Sequence, residues 1–166
     1  MTLPIRKRNR LTGFDYSTQT AYFITIAAKD RKNIFWENAE AKVEVEDTLP
    51  RSLAGITVEH SISEINARYP FVCIDQYVIM PNHVHILLRI QKSEKDQIIP
   101  SVSTVVQQFK GYATKKAGFP LWQKSFHDHV VRGEKDYFKI REYIKNNPIQ
   151  WKEDCYYQEN ESYHNN

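Results

Sequence analysis

The sequence predicts an α+β fold, one antiparallel sheet with helices packed on one face, and three features carry that prediction. Short runs rich in β-branched and aromatic residues fall at 22–27, 71–79, 83–90 and 126–132. Segments with apolar residues at helical spacing fall at 51–67, 101–118 and 135–147. The order is therefore strand, helix, two adjoining strands, helix, strand, helix.

The chain opens with Arg6, Lys7, Arg8 and Arg10 between Pro4 and Gly13, a composition that predicts a basic arm over 1–16 rather than a packed element. One domain over 17–155 and a tail over 156–166 follow. The first strand, 22–27, alternates aromatic and β-branched residues with small ones. Residues 29–37 form a polar connection whose Ile34, Phe35 and Trp36 are expected under the sheet edge. Over 39–47, Val43 and Val45 alternate with Lys42, Glu44 and Glu46, which fits a short exposed strand or an irregular insertion.

Pro50 suits the first turn of a helix. Leu53, Ile56, Ile62 and Ile65 supply its apolar stripe, with Gly55 and the Thr57-Val58 pair weakening it. Tyr69 precedes Pro70 and so leaves helical geometry. The next two strands meet at Met80, Pro81 and Asn82, residues that favour a turn. Ser101 is a natural N-cap, Val102, Val105, Val106, Phe109 and Tyr112 recur on one face, and Gly118 stops that helix. The last helix carries Phe138, Ile140 and Ile144 inward before Pro148 breaks it. The tail, with Tyr156, Tyr157 and Tyr163, shows no periodicity. This succession suits the ferredoxin-like layout.

At 166 residues the chain is long enough for one ordinary core. Its net charge of +3 decides nothing, but the distribution does: Lys110, Lys115, Lys116, Lys124, Arg132, Lys135, Lys139, Arg141 and Lys145 crowd the second half. Basic clusters point to phosphate as a partner, although any one lysine is by default a solvated residue. Cys73 and Cys155 lack the spacing of a zinc knuckle or disulfide framework. No apolar run has membrane-spanning length and no signal-peptide pattern opens the chain, so a cytoplasmic, nucleoid-associated protein is expected. No Gly-rich phosphate loop is present, which argues against a nucleotide cofactor.

The chemistry concentrates at His83-Val84-His85. Strand side chains alternate faces, so the two histidines share one face while Val84, Ile86 and Leu88 point to the other. Two adjacent imidazoles make a pair of metal ligands; the plainer reading is a half-exposed polar strand. A second pair, His127 and His129, flanks Asp128, which would then face the core at a cost of several kcal/mol unless paired. His127 and His129 are therefore read as a polar strand face, with Asp128 at the sheet edge. Residues four apart on a helix are neighbours, and Tyr143 is followed by Asn147, an oxygen donor, where Tyr112 and Tyr137 are followed by cations. Tyr156 with Asn160 and Tyr157 with Glu161 meet the same test outside any clear helix, and Asn146 competes with Asn147.

Met80-Pro-Asn-His-Val-His85 resembles the signature of the IS200-like single-tyrosine transposases, with Ala21-Tyr-Phe-Ile-Thr-Ile26, Val106-Gln-Gln-Phe-Lys-Gly111, Leu121-Trp-Gln-Lys-Ser-Phe126 and Arg141-Glu-Tyr-Ile-Lys-Asn-Asn-Pro148 in support. Together they resemble the branch called REP-associated tyrosine transposases. The resemblance implies a ferredoxin-like domain that nicks and rejoins single-stranded or hairpin DNA through a 5′-phosphotyrosine. It implies Tyr143 as nucleophile and His83, His85 and Asn147 as ligands of Mg²⁺ or Mn²⁺, hard donors favouring such ions. Arg6, Lys7, Arg8, Arg10, Lys110, Lys115, Lys116 and Arg132 are the expected DNA contacts. Relatives of this kind are monomers or homodimers, so either state is expected. Two other readings compete: a non-catalytic module binding single-stranded nucleic acid on Tyr22, Phe23 and Tyr77, and a histidine-based metal hydrolase that uses water.

Overall fold

A computed structural model describes residues 21–44, 49–91 and 98–158. The basic arm, Val45 and Glu46, and the end of the tail, including Asn160, Glu161 and Tyr163, lie outside the described residues. Strands β1 (Ala21–Ala27), β2 (Val72–Ile79), β3 (His83–Ile90) and β4 (His127–Val130) form one sheet in the order β2-β3-β1-β4, every neighbouring pair antiparallel. Helices α1 (Leu53–Arg68) and α2 (Val102–Ala117) are the two crossovers, and α3 (Gly133–Asn146) follows the last strand. The α+β, ferredoxin-like expectation is met.

Helices α1 and α2 pack on each other against the sheet face that carries Ile24, Val84, Ile86 and Leu88. Tyr77, paired with Ile86, shows the connection: its hydroxyl donates to Glu59 of α1. Helix α3 crosses the opposite face, where Arg141 reaches Gln76, the partner of Leu87, and Tyr137 donates to Asp75 at 2.9 Å. Asp75 is available because a bulge between Ile74 and Gln76 leaves it out of the β2–β3 pairing. Its carboxylate also takes both ends of the Arg89 guanidinium, at 2.7 and 2.8 Å.

The start of α1 departs from expectation. Ser52, not Pro50, sets the helix: its hydroxyl accepts from the Gly55 amide at 3.1 Å and donates to the Ile34 carbonyl at 2.6 Å. Pro50 stands outside the helix, its carbonyl accepting from Glu37. The buried stripe is Gly55, Val58, Ile62 and Ile65, while Leu53 and Ile56 are exposed. Gly55 belongs to the stripe because a Cβ there would stand 2.2 Å from the Phe35 carbonyl oxygen. Phe35 and Trp36 are buried as expected, and residues 39–44 are irregular rather than a strand.

Helix α2 follows its sequence closely, capped by Ser101 and ended by Gly118 at φ 80°. Helix α3 instead starts at Gly133, whose φ is 81°, with Asp136 accepting the Arg132 amide. Of its expected inward set, Ile140 and Ile144 are buried, but Phe138 is exposed, since α3 covers only a narrow strip of sheet. Beyond α3 the chain turns through a short 3-10 segment, Trp151–Glu153, and returns over the start of β3.

Candidate active site and metal centre

The site forms where the first residues of β3, the middle of β1, the end of α3 and residues 151–156 meet. His83 and His85 project from the same face of β3, an internal strand, on the side that α3 crosses. The half-exposed strand face of the plainer reading is not what forms. Instead the two histidines are 0% and 2% exposed, because His83 is stacked under Tyr156 (centroids 4.4 Å apart) and near Trp151, while His85 is held between Phe23 and Tyr143. Burial, and secondarily the charge of Arg31, pushes the His83 pKa down to about 3. Burial and then His83 lower His85 well below the usual histidine range, with Asp154 opposing. Both rings are thus neutral at physiological pH, the state in which imidazole ligates a metal.

Their orientation is set from outside. Asn82 donates through Nδ2 to the carbonyls of Tyr156 (2.8 Å) and Arg31 (3.3 Å), so its Oδ1 accepts from His83 Nδ1 at 2.9 Å. That places the proton on Nδ1 and the lone pair on Nε2. Thr25 Oγ1 lies 2.8 Å from His85 Nδ1, leaving the other nitrogen of that ring to the site. The two Nε2 atoms converge to 3.1 Å, close to the roughly 3 Å between neighbouring ligands of an octahedral ion with ~2.1 Å bonds.

Tyr143, half-exposed on α3, sets its ring 5.3 Å from that of His85, and Asn147 is buried one turn later. The Tyr143 pKa is pushed up to about 12 by burial and by Asp154 and Cys155, with Asn147 opposing. The structure therefore brings together Tyr143, His83, His85 and Asn147. It also brings Asp154, which the sequence reading missed: the Asp154 carboxylate lies 4.0 Å from His83 Nε2, and its Oδ2 accepts from Asn147 at 2.8 Å and Tyr143 at 3.4 Å. His83, His85 and Asp154 each offer one ligand atom, all within 4.8 Å of one another. Asn147 Oδ1 is buried with no hydrogen-bond partner among the described residues. Two neutral nitrogens, a carboxylate and an orphaned amide oxygen fit a divalent cation.

These features agree with the similarities of the whole chain. The family description "Transposase IS200 like" matches residues 16–147. The chain belongs to the IS200-like transposase family. An uncharacterized protein of Haemophilus influenzae is 31% identical over 173 residues, covering 92% of this chain and 93% of that one. A REP-associated tyrosine transposase of Escherichia coli is 28% identical over 93 residues, 55% of this chain and 53% of its own length. A solved REP-associated tyrosine transposase bound to a REP hairpin superposes with a TM-score of 0.58 at 20% identity, covering 86% of this chain and 74% of the other, a likeness of fold.

The other candidates of this transposase-family chain fall elsewhere. Lys110, Lys115 and Lys116 belong to α2, on the far side of the sheet from the histidines; Lys110 Nζ donates to the carbonyls of Gln123 (2.6 Å) and Lys124 (3.1 Å), and Lys116 lies over the Tyr112 ring. Arg132 is exposed at the start of α3. Arg6, Lys7, Arg8 and Arg10 lie outside the described residues. His127 and His129 share the histidine face of the sheet but stand exposed on edge strand β4, His129 paired with Asp136 at 2.7 Å. No described helix is long and apolar enough to cross a membrane.

Proposed function

We propose that this transposase-family chain nicks and rejoins single-stranded or hairpin DNA, with Tyr143 as the nucleophile and a divalent ion, Mg²⁺ or Mn²⁺, held at His83 and His85. The observation that carries the reading is the placement of the Tyr143 ring against His85, within one chain, beside a pair of neutral imidazoles whose Nε2 atoms converge. In the forward step the Tyr143 oxygen bonds to phosphorus and the bond from phosphorus to the 3′ oxygen breaks. The phenol proton is balanced by the proton gained on the released 3′-hydroxyl, and the 5′ side remains on the protein as a phosphotyrosine. Rejoining is the reverse, so no nucleotide is consumed. When bound, the metal supplies charge to polarise a phosphate oxygen as negative charge develops. Asn82 and Thr25 orient the imidazoles, and Asn147, with its unpartnered Oδ1, is positioned to add a neutral oxygen. The free Tyr143 phenol is protonated, its pKa pushed up to about 12 by burial and Asp154.

Arg6, Lys7, Arg8, Arg10, Lys115, Lys116 and Arg132 would hold the DNA backbone, an interaction that weakens with salt. The hairpin in the related solved structure favours a folded single strand as substrate.

The deciding experiment is Tyr143→Phe. The substitution keeps the ring on His85 and loses only a long, half-exposed hydrogen bond, so stability should change by less than about 1 kcal/mol. With Mn²⁺ and labelled single-stranded DNA, the parent should give a covalent adduct that survives denaturation and Tyr143→Phe none. An adduct that persists in Tyr143→Phe would move the nucleophile elsewhere; no adduct from the parent, with DNA still bound, would favour a binding module.

A further inference from the structure

We propose that Asp154, eleven residues beyond Tyr143 and outside α3, is the anionic third ligand of the metal, and that Asn147 and Asn82 are the residues that position it. The proposal rests on the reading of His83 and His85 as a metal pair. The main observation is geometric: a ligand atom of Asp154 and one of each imidazole converge, all within 4.8 Å of one another. The Asp154 side chain is 1% exposed, and the basic group within ion-pair distance of it among the described residues is His83, at 4.0 Å. A carboxylate is costly to bury, and such groups in folded proteins pair or coordinate metals. Asp154, His83 and His85 would hold a divalent ion, which would offset the carboxylate's charge. It would also give the two converging imidazole nitrogens, 3.1 Å apart, a common acceptor.

The surroundings hold the carboxylate in place from the outer side. Asn147 donates to Oδ2 at 2.8 Å and the Tyr156 amide to Oδ1 at 2.7 Å. The carbonyl of Tyr156 is in turn bound by Asn82 Nδ2, whose Oδ1 fixes the His83 tautomer. One amide side chain therefore aims both the imidazole lone pair and the segment that delivers the carboxylate. This gives the residues after Pro148 a task in the chemistry, and it makes Asn147 a positioning residue for Asp154, whatever its own Oδ1 adds.

The test is metal binding by the full-length protein without DNA. Mn²⁺ affinity is read from the loss of the free-ion electron paramagnetic resonance signal, with thermal melts of the metal-free proteins as a folding control. Asp154→Asn, which keeps shape and removes charge, should weaken Mn²⁺ binding at least ten-fold, and Asn147→Ala by a smaller factor. A second variant separates ligation from structure: Asp154→Cys loaded with Co²⁺ should give a sulfur-to-metal charge-transfer band that the parent, which already carries Cys155, lacks. Equal Mn²⁺ affinity in Asp154→Asn and parent, with binding lost in His83→Asn, would overturn the role of Asp154 and leave the histidine pair standing. Absence of the Co²⁺ band in a folded Asp154→Cys protein would also overturn it. A parent protein that binds no Mn²⁺ would instead remove the metal reading altogether, and this proposal with it.

Discussion

Gly55→Ala tests whether the entry to α1 is as tightly held as the structure makes it. In an exposed helix the change would stabilise by about 1 kcal/mol, since glycine is the poorer helix former. Here the new Cβ stands 2.2 Å from the Phe35 carbonyl oxygen, so one of them must move by about 1 Å to reach ordinary contact distance. Phe35 has no freedom to give. Its carbonyl accepts from the Ser52 amide at 2.9 Å, its amide donates to the Pro81 carbonyl at 2.9 Å, and its ring is fully buried against Trp122. Moving it strains or breaks the Ser52 cap, worth about 1 kcal/mol, and leaves a buried carbonyl short of a partner, roughly 1–3 kcal/mol. Set against the helix gain, the net loss is about 1–3 kcal/mol. Equilibrium urea unfolding followed by circular dichroism measures it. Because Pro81 leads directly into His83, the substitution should also weaken Mn²⁺ binding. A Gly55→Ala protein as stable as its parent would refute the reasoning and show that the Phe35 segment yields freely.

Three further outcomes follow from particular contacts. His85→Ala removes a buried ring stacked on Phe23 and leaves Thr25 Oγ1 without its partner, so metal-free stability should fall by about 2–4 kcal/mol in a denaturant titration; a loss below about 0.5 kcal/mol would mean the ring is not packed as described. Val84→Asp, on the fully buried face toward α1 and α2, should prevent folding or cost several kcal/mol, and a folded, stable variant would contradict the assigned strand faces. Asp75→Asn should destabilise by about 1–2 kcal/mol at neutral pH through weakened bonds to Arg89 and Tyr137. Burial raises the Asp75 pKa, but those bonds together outweigh it and hold it below the usual carboxylate value. The stability is therefore present above that usual value and lost as pH falls through the lowered one, so the gap between parent and Asp75→Asn should close in acid; a gap independent of pH would show that charge plays no part.

Much of the fold was readable because its signals are local and repeated. Helix α2 carries a cap, a stripe and a terminal glycine that agree, and β3 alternates against a turn written as Pro81-Asn82. Helix α1 was placed, yet its inward face was misjudged: Gly55 contributes no hydrophobicity, and only contact with the Phe35 backbone reveals why it faces in. The histidine pair and the Tyr143-Asn147 spacing were visible as periodicity. Asp154 was not, since it reaches the site through a turn after Pro148 where neither the strand nor the helix period applies. Burial of the histidines was hidden for the same reason: Tyr156, which covers His83, comes from that aperiodic segment.

The sheet contains its own control for what makes two histidines a site. His127 and His129 repeat the spacing of His83 and His85, and through their pairing with Thr25 and Phe23 they face the same side of the same sheet. On edge strand β4 they remain exposed, one of them bound to Asp136, and Asp128 between them stands on the face of the apolar layer where Val84 stands in β3. On the central strand the pair is buried, Asn82 and Thr25 engage the two Nδ1 atoms, and the Nε2 atoms meet beside a carboxylate. Burial keeps those rings neutral, and the bonds at Nδ1 orient both rings, the Asn82 oxygen also setting the His83 tautomer. Spacing alone supplies two side chains on one face; the strand's place in the sheet and the residues behind each ring give them the convergent nitrogens that suit a metal.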